Sequence, residues 1–418
     1  RHLPAAGSGA GEQQVRHVGA GDEEHQRDGP QEQPQRRAQH AEGAGGEELG
    51  AWAAAALTEH VKPSYEAIIA WASADRANSD EVATGVWKLP DGPAYYNERL
   101  AASTTTTMTA DEIHALGLAE VERIHAEMAA IKQQVGFDGT LQEFFASLRN
   151  NPRFLFPNTD EGREGYLQAS RDYHGVIQSR LPQYFGLLPK AGLVVKRVEA
   201  FREQPGAAQH YQAGTPDGSR PGTYYVHLID MNSMPKVELE SVAYHEGIPG
   251  HHMQISIAQE LTGVPMFRTQ IGYTAYSEGW GLYAERLAKE MGAYQDPYSD
   301  FGRLGAEIWR AIRLVVDTGL HSKGWTEEQA VDYFLANGPT SEGQVRAEIR
   351  RYIVMPGQAT SYKVGMLKIL ELRERAKAQL GRSFDIRGFH DTVLGGGALP
   401  LAILERRVDE WIAAERSR

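Results

Sequence analysis

The stretch His245-Glu246-Gly247-Ile248-Pro249-Gly250-His251-His252 brings three imidazoles and a carboxylate together within eight residues, directly after an apolar, helix-compatible run. Imidazole nitrogens and carboxylate oxygens are ligands for Zn²⁺, and a Glu beside a ligand His can take a proton from water, so these residue types suit a hydrolytic metal site. In the familiar H-E-x-x-H pattern the two histidines stand one turn apart on a helix face. Here the spacing is longer. In a straight helix His251 would be rotated roughly 120° away from His245, and His252 would share its face but lie about 10 Å further along the axis. Pro249 lacks an amide hydrogen and crowds the preceding turn, which excludes a regular helix through 245–252. A kink or bulge over 247–250 is therefore required, and geometry leaves both His251 and His252 open as the second ligand.

A catalytic zinc site needs a third protein ligand and one open position. The segment Tyr276-Ser277-Glu278-Gly279-Trp280-Gly281-Leu282-Tyr283-Ala284-Glu285 supplies candidates, because Glu278 and Glu285 are seven apart and share a helix face. One carboxylate can bind the metal while the other holds a ligand histidine. Tyr276, Trp280 and Tyr283 between them argue against a wholly solvated acidic face.

The elements that must position these groups are mainly helical. Helix starts are marked by capping-box pairs at Thr109/Glu112, Thr140/Glu143, Thr326/Gln329 and Ser341/Gln344. Apolar stripes at helical spacing run through 113–131, 308–320 and 399–413 and read as core. Two β-rich runs, 193–201 and 223–229, flank a turn-rich stretch containing Thr215-Pro216-Asp217-Gly218, which predicts a small antiparallel ribbon just before the site helix.

Composition narrows the partners. A net charge of −12 in 418 residues, with no clustered excess of Lys and Arg, gives no footprint for nucleic acid or anionic membrane. Cysteine is absent, so a transition metal must rely on His and carboxylate ligands. No run approaches the roughly 18 apolar residues of a membrane span, and the first residues lack a basic-then-apolar export pattern. As written the chain reads as cytoplasmic, with an exported or lipoprotein form expected if a native N-terminal portion precedes it. Residues 1–56 carry few apolar side chains and are expected to be disordered or non-native, and composition changes near Leu57. The expected organisation is one helical metallopeptidase-like domain over 57–418 that lacks part of its N-terminal half.

From Tyr224-Tyr225-Val226 through the His-Glu motif to Ser277-Glu278-Gly279-Trp280-Gly281-Leu282-Tyr283-Ala284-Glu285, the chain resembles the bacterial family termed domain of unknown function 885. That family in turn resembles the gluzincin zinc metallopeptidases, notably the thimet oligopeptidase and thermostable carboxypeptidase groups. The resemblance implies a mainly α fold, a helical bowl with a deep channel, Zn²⁺ as cofactor and a peptide substrate. Gly before the second ligand in H-E-F-G-H matches Gly250-His251, so the resemblance favours His251 over His252. The lengthened spacing of dipeptidyl peptidase III is a precedent for the two inserted residues. By the same resemblance His245 is the first ligand, Glu278 the third, and Glu246 the residue that takes a proton from water during attack on the peptide carbonyl.

Oxyanion stabilisation needs a donor across the cleft, for which Tyr362 is the first candidate and His321 a further one. Substrate contacts are expected from Tyr224 and Tyr225, on a strand whose edge could take an extended peptide, and from Arg351, Tyr352 and Gln358. Arg310, Arg313 and Arg351 are candidates for receiving a peptide carboxyl terminus. A non-catalytic metal-binding protein and a hydrolase of a non-peptide amide or ester are the alternative readings.

Overall fold

The computed structural model describes residues 46–79, 82–203 and 207–418, and the chain divides into two compact units, 1–81 and 82–418. In the first unit the helices Gly46–Ala56 and Lys62–Asp75 are joined through Leu57–Val61 with little break in the helical path. Within the segment expected to be disordered or non-native, Gly46–Ala56 is helical, as its Ala-rich sequence favours. The rest of that segment, 1–45, lies outside the described residues.

The second unit is mainly helical with one small sheet. The elements that build the site are α1 (Ala110–Gln134), α2 (Asp160–Gln178), β1 (Leu193–Arg197), β2 (His210–Gln212), β3 (Gly222–Val226), α3 (Lys236–Glu246), α4 (His251–Glu260), α5 (Thr274–Glu290), α6 (Pro297–Ser322), α7 (Glu342–Val354) and α8 (Ser361–Leu380). Capping boxes form at Thr109, Thr140 and Thr326 as expected, whereas Ser341 makes no side-chain cap. The stripe of α1 buries Ile113, Val121, Ile124, Met128 and Ile131 against Leu304, Ile308, Ile312 and Val316 of α6. A second core gathers Trp280, Tyr283 and Leu287 of α5 with Met366, Ile369 and Leu372 of α8. These two helices meet almost backbone to backbone: a Cβ on Gly279 would stand 2.6 Å from the Gly365 Cα. Among the described residues no helix is long and apolar enough to cross a membrane.

The sheet has the order β1-β3-β2. β3 lies in the centre, parallel to β1 (Val195 opposite Tyr224) and antiparallel to β2 (Tyr211 opposite Tyr224). The two sequence-evident β runs are therefore partners, but parallel ones, which corrects the expected antiparallel ribbon. Residues 198–221 supply the long crossover that a parallel pair needs, and the antiparallel neighbour is a three-residue strand formed within it.

Candidate metal centre

The His-Glu helix α3 ends at Glu246, the chain breaks over 247–250, and α4 starts at His251. The required interruption is thus a full break between two helices. Gly250 permits it, since a Cβ there would stand 2.0 Å from the His245 carbonyl oxygen and 2.3 Å from that of Tyr244. Trp280 of α5 ties the break down by donating its indole N–H to the Pro249 carbonyl at 2.9 Å. His245 at the end of one helix and His251 at the start of the next then face each other, with ring centroids 4.7 Å apart and planes at 86°.

Glu278 of α5 completes the group. Its Oε2 lies 3.4 Å from His245 Nε2 and 3.4 Å from His251 Nε2, and the three ligand atoms all fall within 4.8 Å of one another. These separations are long for charge-assisted hydrogen bonds, which run at about 2.7–2.9 Å. They do match the edge of a tetrahedron: ligands about 2.0–2.1 Å from a zinc ion at the tetrahedral angle are about 3.4 Å apart. The donor set, two imidazoles and a carboxylate, fits the same ion.

Glu285, one further turn pair along α5, accepts a hydrogen bond from His245 Nδ1 at 2.7 Å, and its other oxygen accepts from Ser241 Oγ at 2.6 Å. This holds a proton on Nδ1 and turns Nε2 towards Glu278 and His251. Gly281 leaves room for the ring, because a Cβ there would lie 2.7 Å from His245 Cε1. Burial opposes charge on His245, but the Glu278 and Glu285 carboxylates outweigh it and push its pKa up to about 10. The carboxylates thus create a strong local demand for positive charge. Burial raises the Glu246 carboxyl, opposed by the charges of His251, His245 and Arg310.

His252 is used otherwise. Its Nδ1 accepts from the Tyr211 hydroxyl at 3.0 Å and its Nε2 faces the Ala191 carbonyl at 3.2 Å, so it fastens α4 to the sheet. The geometry therefore brings His245, His251 and Glu278 together and leaves His252 out. On His251 the other ring nitrogen, Nδ1, is buried without a partner among the described residues, whereas His245 has the outer support of Glu285.

The group opens on a cavity of about 780 Å³ lined by His245, Glu246, His251 and Glu278 together with Trp309, Arg310, Arg313, Glu348 and Tyr362. Edge strand β2 and the residues before it, 207–211, contribute to its lining, together with His227. Glu238, on the face of α3 that carries Val242 and His245, also lines it, and burial pushes its carboxyl up to about 7 against the pull of Arg310.

Several expected site residues are elsewhere. Tyr224 and Tyr225 are buried in the central strand and do not line the cavity. Because β3 is paired on both sides, its edges are closed; the sheet's outer edges belong to β1 and β2, and of these two β2 lines the cavity. Arg351, Tyr352 and Gln358 stand behind the wall: Arg351 bonds Glu348 and Gln358, and the Tyr352 hydroxyl joins Glu348 to Arg313. They support the wall from behind. His321 is outside the cavity with both ring nitrogens engaged, Nδ1 accepting from the Val86 amide and Nε2 donating to the Tyr352 carbonyl. Tyr362 does line the cavity, with the Arg313 guanidinium 4.6 Å from its ring centre. Sequence reasoning missed β2 and Trp309: three residues are too few to show alternation, and a Trp within an apolar helical stripe reads as core.

No curated protein matches the chain. Among solved structures it is similar to the "putative lipoprotein" of Colwellia psychrerythraea, at 38% identity and a TM-score of 0.84 over 89% of this chain and 64% of that one. The chain therefore spans just under two thirds of that relative's length. It also shares its fold with a "putative lipoprotein of unknown function" from Shewanella oneidensis, at 22% identity and a TM-score of 0.65 over 87% of this chain and 67% of that one. Residues 7–408 match the family described as bacterial protein of unknown function DUF885, and with the His-Glu motif and its partner helix inside that span, the chain belongs to that family.

Proposed function

We propose that the protein is a zinc-dependent hydrolase of peptide bonds in oligopeptides. The observation that carries this reading is the meeting of His245, His251 and Glu278, with the Glu278 oxygen at tetrahedral-edge distance from each histidine nitrogen, in the wall of a cavity that Glu246 also lines. Zn²⁺ at the triad would polarise the scissile carbonyl and make water acidic enough to deprotonate near neutral pH. Glu246 accepts the proton of the attacking water and passes it to the departing amine. Its buried setting raises its affinity for that proton. Tyr362, which lines the same cavity, is the hydroxyl available to the developing oxyanion. The open edge of β2 offers backbone hydrogen bonds to an extended peptide, the role first expected of β3. The description of the Colwellia protein as a lipoprotein supports an exported setting.

The test compares wild type with Glu246→Gln for bound metal and for cleavage of a mixed peptide pool. Expected are one zinc per chain in both and cleavage only in the wild type, with turnover in the variant lower by about 10²-fold or more. Zinc without cleavage in the wild type would move the protein to the non-catalytic metal-binding reading. Lack of stoichiometric metal would remove both.

A further inference from the structure

The first unit carries an apolar face that none of its described residues covers. Gly46–Ala56, Leu57–Val61 and Lys62–Asp75 form one helical path without a single buried residue. Trp52, Leu57, Val61, Tyr65, Ile68 and Trp71 are each between 42% and 68% exposed. Spacing alone would not align them, because on an uninterrupted α-helix the stripe of 61–71 would stand about 100° round from that of 52–57. At Leu57–Val61 the turn is one residue wider, with the Lys62 amide bonded to the Leu57 carbonyl five residues back. That extra residue turns the second stripe back onto the first, so the six side chains share one face.

Helices draw most of their stability from packing such a face against something. These six side chains expose about 700 Å² per chain, more than the roughly 300–600 Å² of the largest patch on an ordinary monomer. A membrane surface is a poor match: over 46–76 five carboxylates stand against Lys62 and Arg76, whereas helices that lie on bilayers are rich in Lys and Arg. A second copy of the chain matches the pattern of the face itself. Its first half is small around Trp52, with Ala53 and Ala56, and its second half is bulky, with Tyr65, Ile68 and Trp71. Two copies laid antiparallel about a two-fold axis beside Val61 set Ala53 opposite the partner's Ile68, Ala56 opposite the partner's Tyr65 and Lys62 beside the partner's Glu59. A parallel pair would stack Trp52, Tyr65 and Trp71 each on its own copy and bring like carboxylates together. Two such faces offer roughly 1,400 Å², within the range of about 1,200–2,000 Å² that stable interfaces bury.

We propose that the helical path over 46–75 is a dimerisation element, which docks on the same face of a second copy of this chain as an antiparallel helix pair. The pairing is independent of the reaction assigned to the metal centre.

Sedimentation velocity on the full chain, over about 0.1–100 μM, tests this, and a dimer with a Kd of about 1 μM or tighter is expected. Ile68→Asp puts a carboxylate into the face twice per dimer and should weaken it by about 100-fold or more. Ala70→Asp, on the opposite side of the same helix, should leave the Kd within about threefold. Because the chain has no cysteine, single cysteines report the direction of pairing. Val61→Cys should give a disulfide-linked dimer on mild oxidation and Trp52→Cys should not, since the two 52 positions of the antiparallel pair stand about 26 Å apart along the axis, beyond the roughly 7 Å reach of a disulfide. A monomer throughout the range, or a dimer indifferent to Ile68→Asp, overturns the proposal. Ready cross-linking through both positions overturns it in favour of a parallel pair. A monomer that co-sediments with phosphatidylcholine vesicles, and no longer does so as Ile68→Asp, overturns it in favour of a lipid surface.

Discussion

Glu285 offers the sharpest test of how the centre is built, because it touches the metal group only through His245. Its Oε1 takes the Nδ1 proton at 2.7 Å and its Oε2 takes the Ser241 hydroxyl at 2.6 Å, and the side chain is 2% exposed. Glu285→Gln keeps an acceptor for the imidazole and removes the negative charge that makes Nε2 more basic. Outer partners of this kind contribute about 10–100-fold to metal affinity, so Gln falls at the lower end, about tenfold. Glu285→Ala also releases the ring orientation, which places it near the upper end, about 100-fold. It further leaves two buried donors without an acceptor, lowering the stability of the metal-free protein by about 1–3 kcal/mol for each. Competition against chelators of known zinc affinity reads the first effect, and urea unfolding of the metal-free protein the second. Zinc affinity of Glu285→Ala within about threefold of wild type, with the fold intact, would refute the assignment of Glu285 as the group that orients His245. A loss far beyond 100-fold would refute it from the other side and make Glu285 a ligand itself.

Three further outcomes follow from the same geometry. His251→Ala should abolish stoichiometric zinc, whereas His252→Ala should retain one zinc per chain and lose about 1–3 kcal/mol of stability, since Tyr211 and Ala191 lose their partner; metal analysis and urea unfolding separate the two. Gly281→Ala puts a methyl 2.8 Å from His245 Nε2 and should cost about 1–3 kcal/mol divided between stability and zinc affinity, so a variant unchanged in both assays would contradict the crowding described. His390 is held neutral, with burial pushing its pKa down to about 3, while the unfolded chain takes up the proton near pH 6.5. A lowered histidine pKa means that stability falls as pH drops below the unfolded value, by about 1.4 kcal/mol between pH 7.5 and 5.5. His390→Gln should therefore unfold with a pH dependence shallower by that amount, and an unaltered slope would count against the buried neutral imidazole.

What was legible in the sequence was chemistry carried by local patterns. Thr109/Glu112, Thr140/Glu143 and Thr326/Gln329 announce their helix starts because a capping box is complete within four residues. The stripe of α1 was legible because burial of one face repeats at helical period. Strand direction was not legible, since it depends on where the chain goes between β1 and β3 and on the three-residue β2 that forms in transit. Arg351, Tyr352 and Gln358 were misplaced for a related reason. A helix segment can bring side chains to a cavity or to the layer behind it, and packing of α7 on α6 decides which.

The lengthened His-Glu motif shows why residue count between ligands is a weak guide. In an unbroken helix, spacing fixes direction, and six residues would turn His251 away from His245 by roughly a third of a revolution. Here α3 stops at Glu246, and the Gly250 backbone folds back against the carbonyls of Tyr244 and His245 so closely that no side chain fits. Direction is then set by where α4 begins, and α4 is held on two sides: through Pro249 by Trp280 of α5, and through His252 by Tyr211 of β2. The same α5 supplies Glu278 and Glu285. One helix thus anchors the break, brings Glu278 to the two histidines and orients His245, so the longer spacing changes the path of the chain and leaves intact the two 3.4 Å edges that meet at Glu278. His252, adjacent to His251 and chemically identical to it, stays outside the group because its two ring nitrogens are engaged by Tyr211 and the Ala191 carbonyl.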